Sequence, residues 1–84
     1  MDKLEISRIK KRFLSVAMSH TGLDEDEIDE NSDVRQIICD NNDEWAFIEF
    51  LASIEREFRI PIPYEVAEKI NSANDFTEWM DRYF

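Results

Sequence analysis

Apolar residues recur at helical spacing in the N-terminal stretch of the chain, residues 3–19. They stand at i, i+3, i+7, i+10 and i+11 and are Ile6, Ile9, Phe13, Val16 and Ala17. This spacing places them on one face of a helix, and basic side chains occupy much of the remaining surface. The segment 20–22 is expected to end the helix, because the only glycine of the chain, Gly22, suits a left-handed C-cap.

The strongest apolar stripe predicts a second helix from Asp43 to Phe58. Asp43 suits the N-cap and Glu44 the first turn, where the helix dipole favours an acid. The expected buried stripe consists of Phe47, Phe50, Leu51, Ile54 and Phe58. A second apolar edge runs beside it and consists of Trp45, Ile48 and Ala52. An apolar face this wide contacts more than one helix or leaves an edge for a partner.

The C-terminal third predicts an extended segment, a short helix and a last helix. Residues 59–63 include two prolines, each of which forces the residue before it into an extended conformation. Pro63 suits the first position of a short helix that reaches about Ile70. The expected inward-facing residues of this helix are Val66, Ala67 and Ile70. Ser72 and Asp75 form a capping-box pattern for the last helix. Its expected apolar face consists of Phe76, Trp79, Met80 and Tyr83.

The segment between the first two helices, residues 23–42, predicts a long loop. Its apolar residues are expected to pack onto the core and are Val34, Ile37 and Ile38. Asn41 and Asn42 supply turn chemistry before the second helix. The acidic run 24–27 favours a short helical turn. Because the run contains no glycine and lacks the ligand pattern of an EF-hand, no metal site is expected.

Length and composition fit one small folded domain. The chain has 84 residues, of which 43% are hydrophobic and 12% aromatic, so it can fold around one core. Residues 1–84 are therefore expected to form a single all-α domain with three longer helices, one short third helix and a long first loop. The one cysteine, Cys39, excludes an internal disulfide and a cysteine-based metal site.

The formal net charge of −10 limits the kinds of molecule that the protein is expected to bind. A chain this acidic lacks the positive field that displaces counterions from phosphates, so nucleic acid is not an expected partner. The charge is uneven, since residues 1–20 carry +3 and residues 21–84 carry −13, which favours attraction between the first helix and an acidic body. No apolar run reaches the ~20 residues of a membrane span and no secretory segment is apparent, so a cytoplasmic protein without membrane insertion is expected.

Several strings of the sequence resemble the acyl carrier protein family. Residues 21–28, TGLDEDEI, followed by Asn31 and Ser32, look like the first loop of that family. Residues 49–58, EFLASIEREF, look like its second helix, and residues 60–70, IPIPYEVAEKI, look like its short third helix. The resemblance covers nearly the whole chain. It implies an acyl-carrier-protein-like four-helix bundle.

The family attaches a phosphopantetheine arm to the serine of an Asp-Ser-Leu motif at the start of its second helix. The resemblance places Asp43, Glu44 and Trp45 on that motif. Glu44 has no hydroxyl that could form the phosphodiester, so no covalent cofactor is expected. Of the other serines, Ser32 is followed by loop sequence and Ser53 lies in the middle of a helix. The resemblance therefore implies a carrier-like protein without an attachment site.

Carriers of this family dock on enzymes through an acidic second helix that faces basic patches. By resemblance, the partner-binding residues are Glu44, Trp45, Ile48, Glu49, Glu55 and Glu57. Ala46 stands where the family has an acid and Arg56 interrupts the acidic run, which weakens the surface that fatty-acid enzymes recognise. Glu44 is either an ordinary first-turn acid or a mimic of a phosphorylated serine. Trp45 either is exposed as a binding hot spot or packs into the core.

The positions of His20, Cys39 and the aromatic residues indicate structural roles. His20 suits a helix C-terminus, and Cys39 is flanked by apolar residues, as buried cysteines are. The aromatic residues predict a filled interior without a lipid pocket. These aromatic residues are Phe47, Phe50, Phe58, Phe76, Trp79, Tyr83 and Phe84. No arrangement typical of an enzyme is present in the sequence.

The sequence thus predicts a monomeric, non-catalytic interaction module that acts in a specialised acyl-transfer system or in fatty acid or polyketide biosynthesis. Its expected partner is a protein with a basic docking patch. Two alternatives stay open. The first is a genuine acyl carrier whose attachment serine lies elsewhere. The second is a small acidic inhibitor or immunity-type protein that blocks a basic enzyme.

Overall fold

The computed structural model describes residues 1–40 and 43–84 and contains helices but no strand within them. The helices are α1, Lys3–Thr21; α2, Val34–Ile38; α3, Glu44–Phe58; α4, Tyr64–Ala67; and α5, Ala73–Tyr83. The predicted all-α class is confirmed. The turn predicted at Asn41–Asn42 lies outside the described residues. No helix in the described part of the chain combines the length and the apolar character needed to cross a bilayer.

Helix α1 ends at the predicted glycine cap. Gly22 adopts a left-handed conformation with φ of 76°, and its N–H donates to the carbonyl of Met18 at 2.8 Å. The helix continues two residues beyond the predicted boundary of residue 19. Thr21 accommodates this extension because its hydroxyl donates to the carbonyl of Ala17 at 2.9 Å. At the other end of α1, the carboxylate of Asp2 caps the first turn by accepting from Glu5 N at 2.8 Å.

The predicted long loop contains an additional short helix, α2. Asp33 caps it by accepting from Gln36 N at 3.0 Å, and Val34 N donates to the carbonyl of Asn71 at 2.6 Å. Val34 is buried, and the half-buried Ile37 and Ile38 pack against the core, so the predicted packing of these three residues is confirmed. The acidic run forms a single turn, closed by the hydrogen bond from Glu27 N to Asp24 O at 3.0 Å.

Helix α3 begins and ends where the sequence predicts. The carboxylate of Asp43 caps it by accepting from Ala46 N at 3.2 Å. At the C-terminal end, Arg59 adopts a left-handed conformation with φ of 56°, and the next residues form the predicted extended segment. The buried side chains of α3 are Phe47, Phe50 and Ile54. The other two residues of the predicted buried stripe, Leu51 and Phe58, are half-buried and pack against the core.

Helix α4 is shorter than predicted, since it ends at Ala67 and not near Ile70. Pro63 is its N-cap and not its first residue. Beyond Ala67 the chain forms a tighter turn, in which Lys69 N donates to the carbonyl of Val66 at 2.9 Å. The guanidinium of Arg35 donates to the carbonyl of Ala67, so this carbonyl is satisfied without a further helical turn. Ile70 is buried as expected, and the other two predicted inward residues are half-buried.

Helix α5 begins with the predicted capping box. Asp75 N donates to the hydroxyl of Ser72 at 3.2 Å, and Ser72 N donates to the carboxylate of Asp75 at 3.2 Å. The prediction that Tyr83 belongs to the buried face is wrong, because Tyr83 is 68% exposed. Residues 81–84 are all exposed, so the last turn of α5 extends beyond the packed core. The residues of α5 that are buried are Ala73, Phe76, Thr77 and Met80.

Three fully buried phenylalanines join α1, α3 and α5. The ring of Phe13 packs edge-on against Phe50, with centroids 5.3 Å apart. The same ring stacks on Phe76, with centroids 5.1 Å apart. Each residue contributes a large buried apolar area, and both pair geometries are favourable for aromatic rings. The core thus lies between these three helices, and α2 and α4 pack at its margin.

Candidate functional site

A groove of about 920 Å³ opens between α2, α3 and α4. Its apolar lining consists of Phe47, Ile48, Leu51, Ala52, Ile62 and Ala67. Its acidic lining consists of Asp33, Glu44, Glu55 and Glu68. Of the seven aromatic residues expected to fill the interior, only Phe47 lines the groove, because the others lie toward α1 and α5 or at the C-terminus. The groove is open to solvent, so the expectation of a filled interior without a lipid pocket stays a prediction.

Arg35 fixes one side of the groove. Its guanidinium lies over the ring of Phe47 at 4.2 Å from the centroid, and its Nε donates to Asn71 Oδ1 at 2.9 Å. It also donates to the carbonyls of Ala67 and Ile70. The sequence reasoning missed this residue. The available signal was that Arg35 is the only lysine or arginine among residues 13–55.

Glu44 is the first residue of α3 and lies exposed at the groove. Burial raises the pKa of the Cys39 thiol, and the Glu44 carboxylate raises it further while Arg35 opposes the change. The hydrogen bond to Glu68 raises the pKa of the Tyr64 hydroxyl, and the charges of Glu68 and Glu44 act in the same direction. The Glu44 carboxylate thus lies in the same electrostatic environment as Cys39 and Tyr64.

The predicted partner-binding residues fall into two groups. Glu44, Ile48 and Glu55 line the groove, and the carboxylate of Glu55 accepts from Ile62 N at 2.9 Å. Trp45 is 72% exposed and Ile48 is 53% exposed. The interpretation in which Trp45 packs into the core is therefore wrong, and the exposed one holds. Glu49, one helical turn from Trp45, is also exposed.

Glu57 lies apart from these residues. Its carboxylate pairs with Arg12 of α1, with 3.6 Å between Oε1 and Nε. Arg12 also donates to the carbonyl of Glu57 at 2.7 Å and lies over the ring of Phe58. Helical spacing alone implies this separation, because Glu57 follows Ile48 by nine residues and so lies on the opposite side of α3.

Tyr64 joins the exposed group although the sequence reasoning did not select it. It lines the groove and is 76% exposed. We define the docking face as the exposed residues beside the groove, namely Glu44, Trp45, Ile48, Glu49 and Tyr64. This face combines three large apolar side chains with two carboxylates. Such a surface can contact the apolar side chains of a partner and pair with neighbouring basic groups.

The other residues with possible chemistry are engaged in local contacts. The hydroxyl of Ser32 accepts from Asp29 N at 2.9 Å, and that of Ser53 lies 2.9 Å from His20 Nε2. Cys39 is a half-buried free thiol. Among residues 1–40 and 43–84, no cluster of three or more His, Cys, Asp or Glu side chains is placed to hold a metal ion. No protein-family model, curated protein or solved structure matches the chain.

Proposed function

We propose that the chain is an acyl-carrier-like protein without a phosphopantetheine serine, which acts as a non-catalytic interaction module in a specialised acyl-transfer or biosynthetic system. The order of its elements supports this proposal. A long α1 is followed by an extended connection, a long α3 capped by Asp43, an extended segment at residues 59–63, a short α4 and α5. Glu44 stands at the first position of α3, where the family has its serine.

The exposed apolar residues beside the groove are the observation that carries the proposal. Trp45, Ile48 and Tyr64 are all more than half exposed, although the core of this small domain is well packed. Exposed apolar side chains grouped in this way are typical of interaction surfaces. The surrounding carboxylates favour a partner whose apolar contact residues are flanked by lysine or arginine.

A non-catalytic role is supported by the chemistry of the site. The ionised carboxylate of Glu44 only accepts hydrogen bonds and has no hydroxyl that could attack the phosphoanhydride of coenzyme A. The hydroxyls of Ser32 and Ser53 are held by neighbouring groups, and Ser53 lies in the middle of α3. The partner would therefore recognise the protein through its surface.

The first test measures intact mass after incubation with coenzyme A and a broad-specificity phosphopantetheinyl transferase. Wild type and Glu44→Ser are compared side by side, and the modified peptide is identified by digestion. We expect wild type to stay unmodified and Glu44→Ser to gain one arm on residue 44. Modification of wild type would show instead that the protein is a working carrier. If neither protein gains the arm, the carrier-like docking surface is contradicted.

The second test uses the same transferase as a docking probe. In the Glu44→Ser background, Ile48→Ala is expected to lower kcat/KM about tenfold, because it removes an exposed apolar contact. Glu49→Gln should also lower it, and the effect should shrink as salt is added. Glu57→Gln is the matched control, since it removes the same charge from the other side of α3. Equal losses in Glu49→Gln and Glu57→Gln would show that total charge, and not the docking face, controls binding.

A further inference from the structure

A second, shallower pocket of about 380 Å³ lies between α1 and α3. It shares no lining residue with the groove. Three hydroxyls, an imidazole and a guanidinium line it, and they belong to Ser15, Ser19, Ser53, His20 and Arg56. The docking proposal does not use these groups. The guanidinium of Arg56 and the hydroxyls of Ser15 and Ser19 can donate hydrogen bonds to a ligand.

The hydroxyl of Ser53 organises the pocket. It donates to the carbonyl of Glu49 at 3.2 Å and accepts from Arg56 Nη2 at 3.1 Å. His20 Nε2 lies 2.9 Å from the same oxygen. A hydroxyl has one hydrogen and two acceptor lone pairs, so all three contacts are satisfied only when His20 donates. Ser53 is therefore held as an acceptor between two donors, which is unlike a nucleophile whose proton passes to a histidine base.

The imidazole and the guanidinium are held in place from both helices. The His20 ring packs edge-on against the fully buried Phe50, with centroids 5.6 Å apart. The bond to Ser53 fixes Arg56 on the neighbouring turn of α3 and uses one of the five N–H donors of its guanidinium. The site therefore brings together a positioned cation and several donors, and it needs little reorganisation to receive a ligand.

The local charge favours an anion although the whole chain is acidic. Glu57 is the carboxylate in the pocket lining, and its Oε1 lies 3.6 Å from Arg12 Nε. Arg12 therefore offsets the charge of Glu57, and Arg56 remains as the cation that faces the pocket. A planar guanidinium matches the geometry of phosphate oxygens, which accept several hydrogen bonds at once.

We propose that this pocket binds a phosphate group. Arg56 supplies the main charge contact. The hydroxyls of Ser15 and Ser19 can donate to the phosphate oxygens, and His20 and Ser53 hold Arg56 in position. Because the pocket is shallow and open to solvent, it receives the phosphoryl group while the rest of the bound molecule extends outward. The same group can arrive as free phosphate or on a phosphorylated side chain of another protein.

The test is an NMR titration of the ¹⁵N-labelled protein with inorganic phosphate and, in parallel, with O-phosphoserine at constant ionic strength. We expect saturable amide shifts confined to residues 15–20 and 53–57. Arg56→Gln should weaken binding at least fivefold, and Ser19→Ala should weaken it less. Arg82→Gln removes the same charge from exposed α5 and should leave the affinity unchanged. Tighter binding of phosphoserine would assign the site to a phosphorylated protein, and tighter binding of phosphate would assign it to the free ion.

Two results would overturn the proposal. The first is a set of shifts that increase linearly with both probes and do not saturate, which indicates general ionic contact only. The second is an equal loss of affinity in Arg56→Gln and Arg82→Gln, which would show that net charge and not the pocket governs binding. The wild-type-like spectrum of each free variant serves as the check on folding, since Arg56, Arg82 and Ser19 are exposed.

Discussion

The two sides of α3 carry similar residues in different environments. Toward α1 and α5, Phe50 and Ile54 are completely buried. Toward the groove, Trp45 and Ile48 stand largely in solvent, although they belong to the same helix and recur at the same spacing. Hydrophobicity and periodicity are alike on both sides, and what differs is whether another helix covers them. The apolar residues that no other helix covers are the ones that we propose as a surface for another molecule.

The largest loss of stability is expected from a substitution on the buried side of α3. Phe50→Ala removes a ring that contacts Phe13, Phe47 and His20, and leaves a cavity where the helices meet. We expect the free energy of unfolding to fall by about 3–5 kcal/mol, as it does when buried phenylalanines are truncated. Urea unfolding followed by circular dichroism measures this change. A loss below about 1 kcal/mol would contradict the central position of Phe50 in the core.

The next largest loss of stability is expected on the groove side. There Arg35, and not a cluster of aromatic rings, connects the elements. Arg35→Gln loses the contact over Phe47 and the hydrogen bonds to the carbonyls at the end of α4. We expect a loss of about 2 kcal/mol in the free energy of unfolding, because hydrogen bonds from a charged group are among the stronger ones.

Two variants check the origin of that loss. Arg35→Lys keeps the charge but not the planar fork, so it should recover less than half of the lost free energy. Arg82→Gln removes an exposed arginine of α5 and should change stability by less than about 0.5 kcal/mol. If Arg35→Lys is as stable as wild type, charge alone and not the hydrogen bonds holds α2 against α4.

The sequence predicts most of the fold because its main signals are local. The Asp43 cap, the Gly22 cap and the Ser72–Asp75 capping box depend on residues within a few positions of one another. The sequence does not predict α2, since five residues are too few for a recognisable period. The last residue of α4, Ala67, is contacted by Arg35, which reaches its carbonyl from a distant part of the chain. Sequence periodicity contains no information about such contacts.

The candidate site is predictable in composition but not in arrangement. The resemblance to acyl carrier proteins selects Glu44, Trp45 and Ile48, and the structure groups them beside one groove. The same resemblance selects Glu57, which instead pairs with Arg12 on the other side of the helix. Tyr64 was not selected because it lies on another element. Which side of a helix becomes surface is decided by the packing of its neighbours, and that packing is a property of the whole fold.

A smaller change in the free energy of unfolding is expected on the exposed side of α3. Trp45→Ala removes a ring that is largely in solvent, so the free energy of unfolding should change by less than about 0.5 kcal/mol. Urea unfolding of Trp45→Ala and of Phe50→Ala under the same conditions compares the two sides of α3 directly. A loss of more than 1.5 kcal/mol, comparable with a core truncation, would show that Trp45 supports the fold and is not free for a partner.

The smallest expected effect is on the alkylation rate of Cys39, whose thiol lines the groove. Because burial and nearby carboxylates raise the pKa of Cys39, its thiolate fraction at pH 7 to 8 is lower than that of an ordinary thiol. Iodoacetamide should therefore alkylate Cys39 more slowly than the cysteine of a short peptide with blocked termini, and the rate should keep rising at a pH where the peptide thiol has levelled off. Mass spectrometry over a pH series measures both rates.

Substitution of Glu44 shows whether that carboxylate shares the environment of Cys39. Glu44→Gln removes a negative charge that raises the pKa of the thiol, so the thiolate fraction and the alkylation rate should increase, by about twofold for a weak coupling through solvent. Glu57→Gln removes the same charge on the side of α3 that faces α1 and should leave the rate unchanged. Equal rates in wild type and Glu44→Gln would place the Glu44 carboxylate too far from the groove to contribute to its electrostatics.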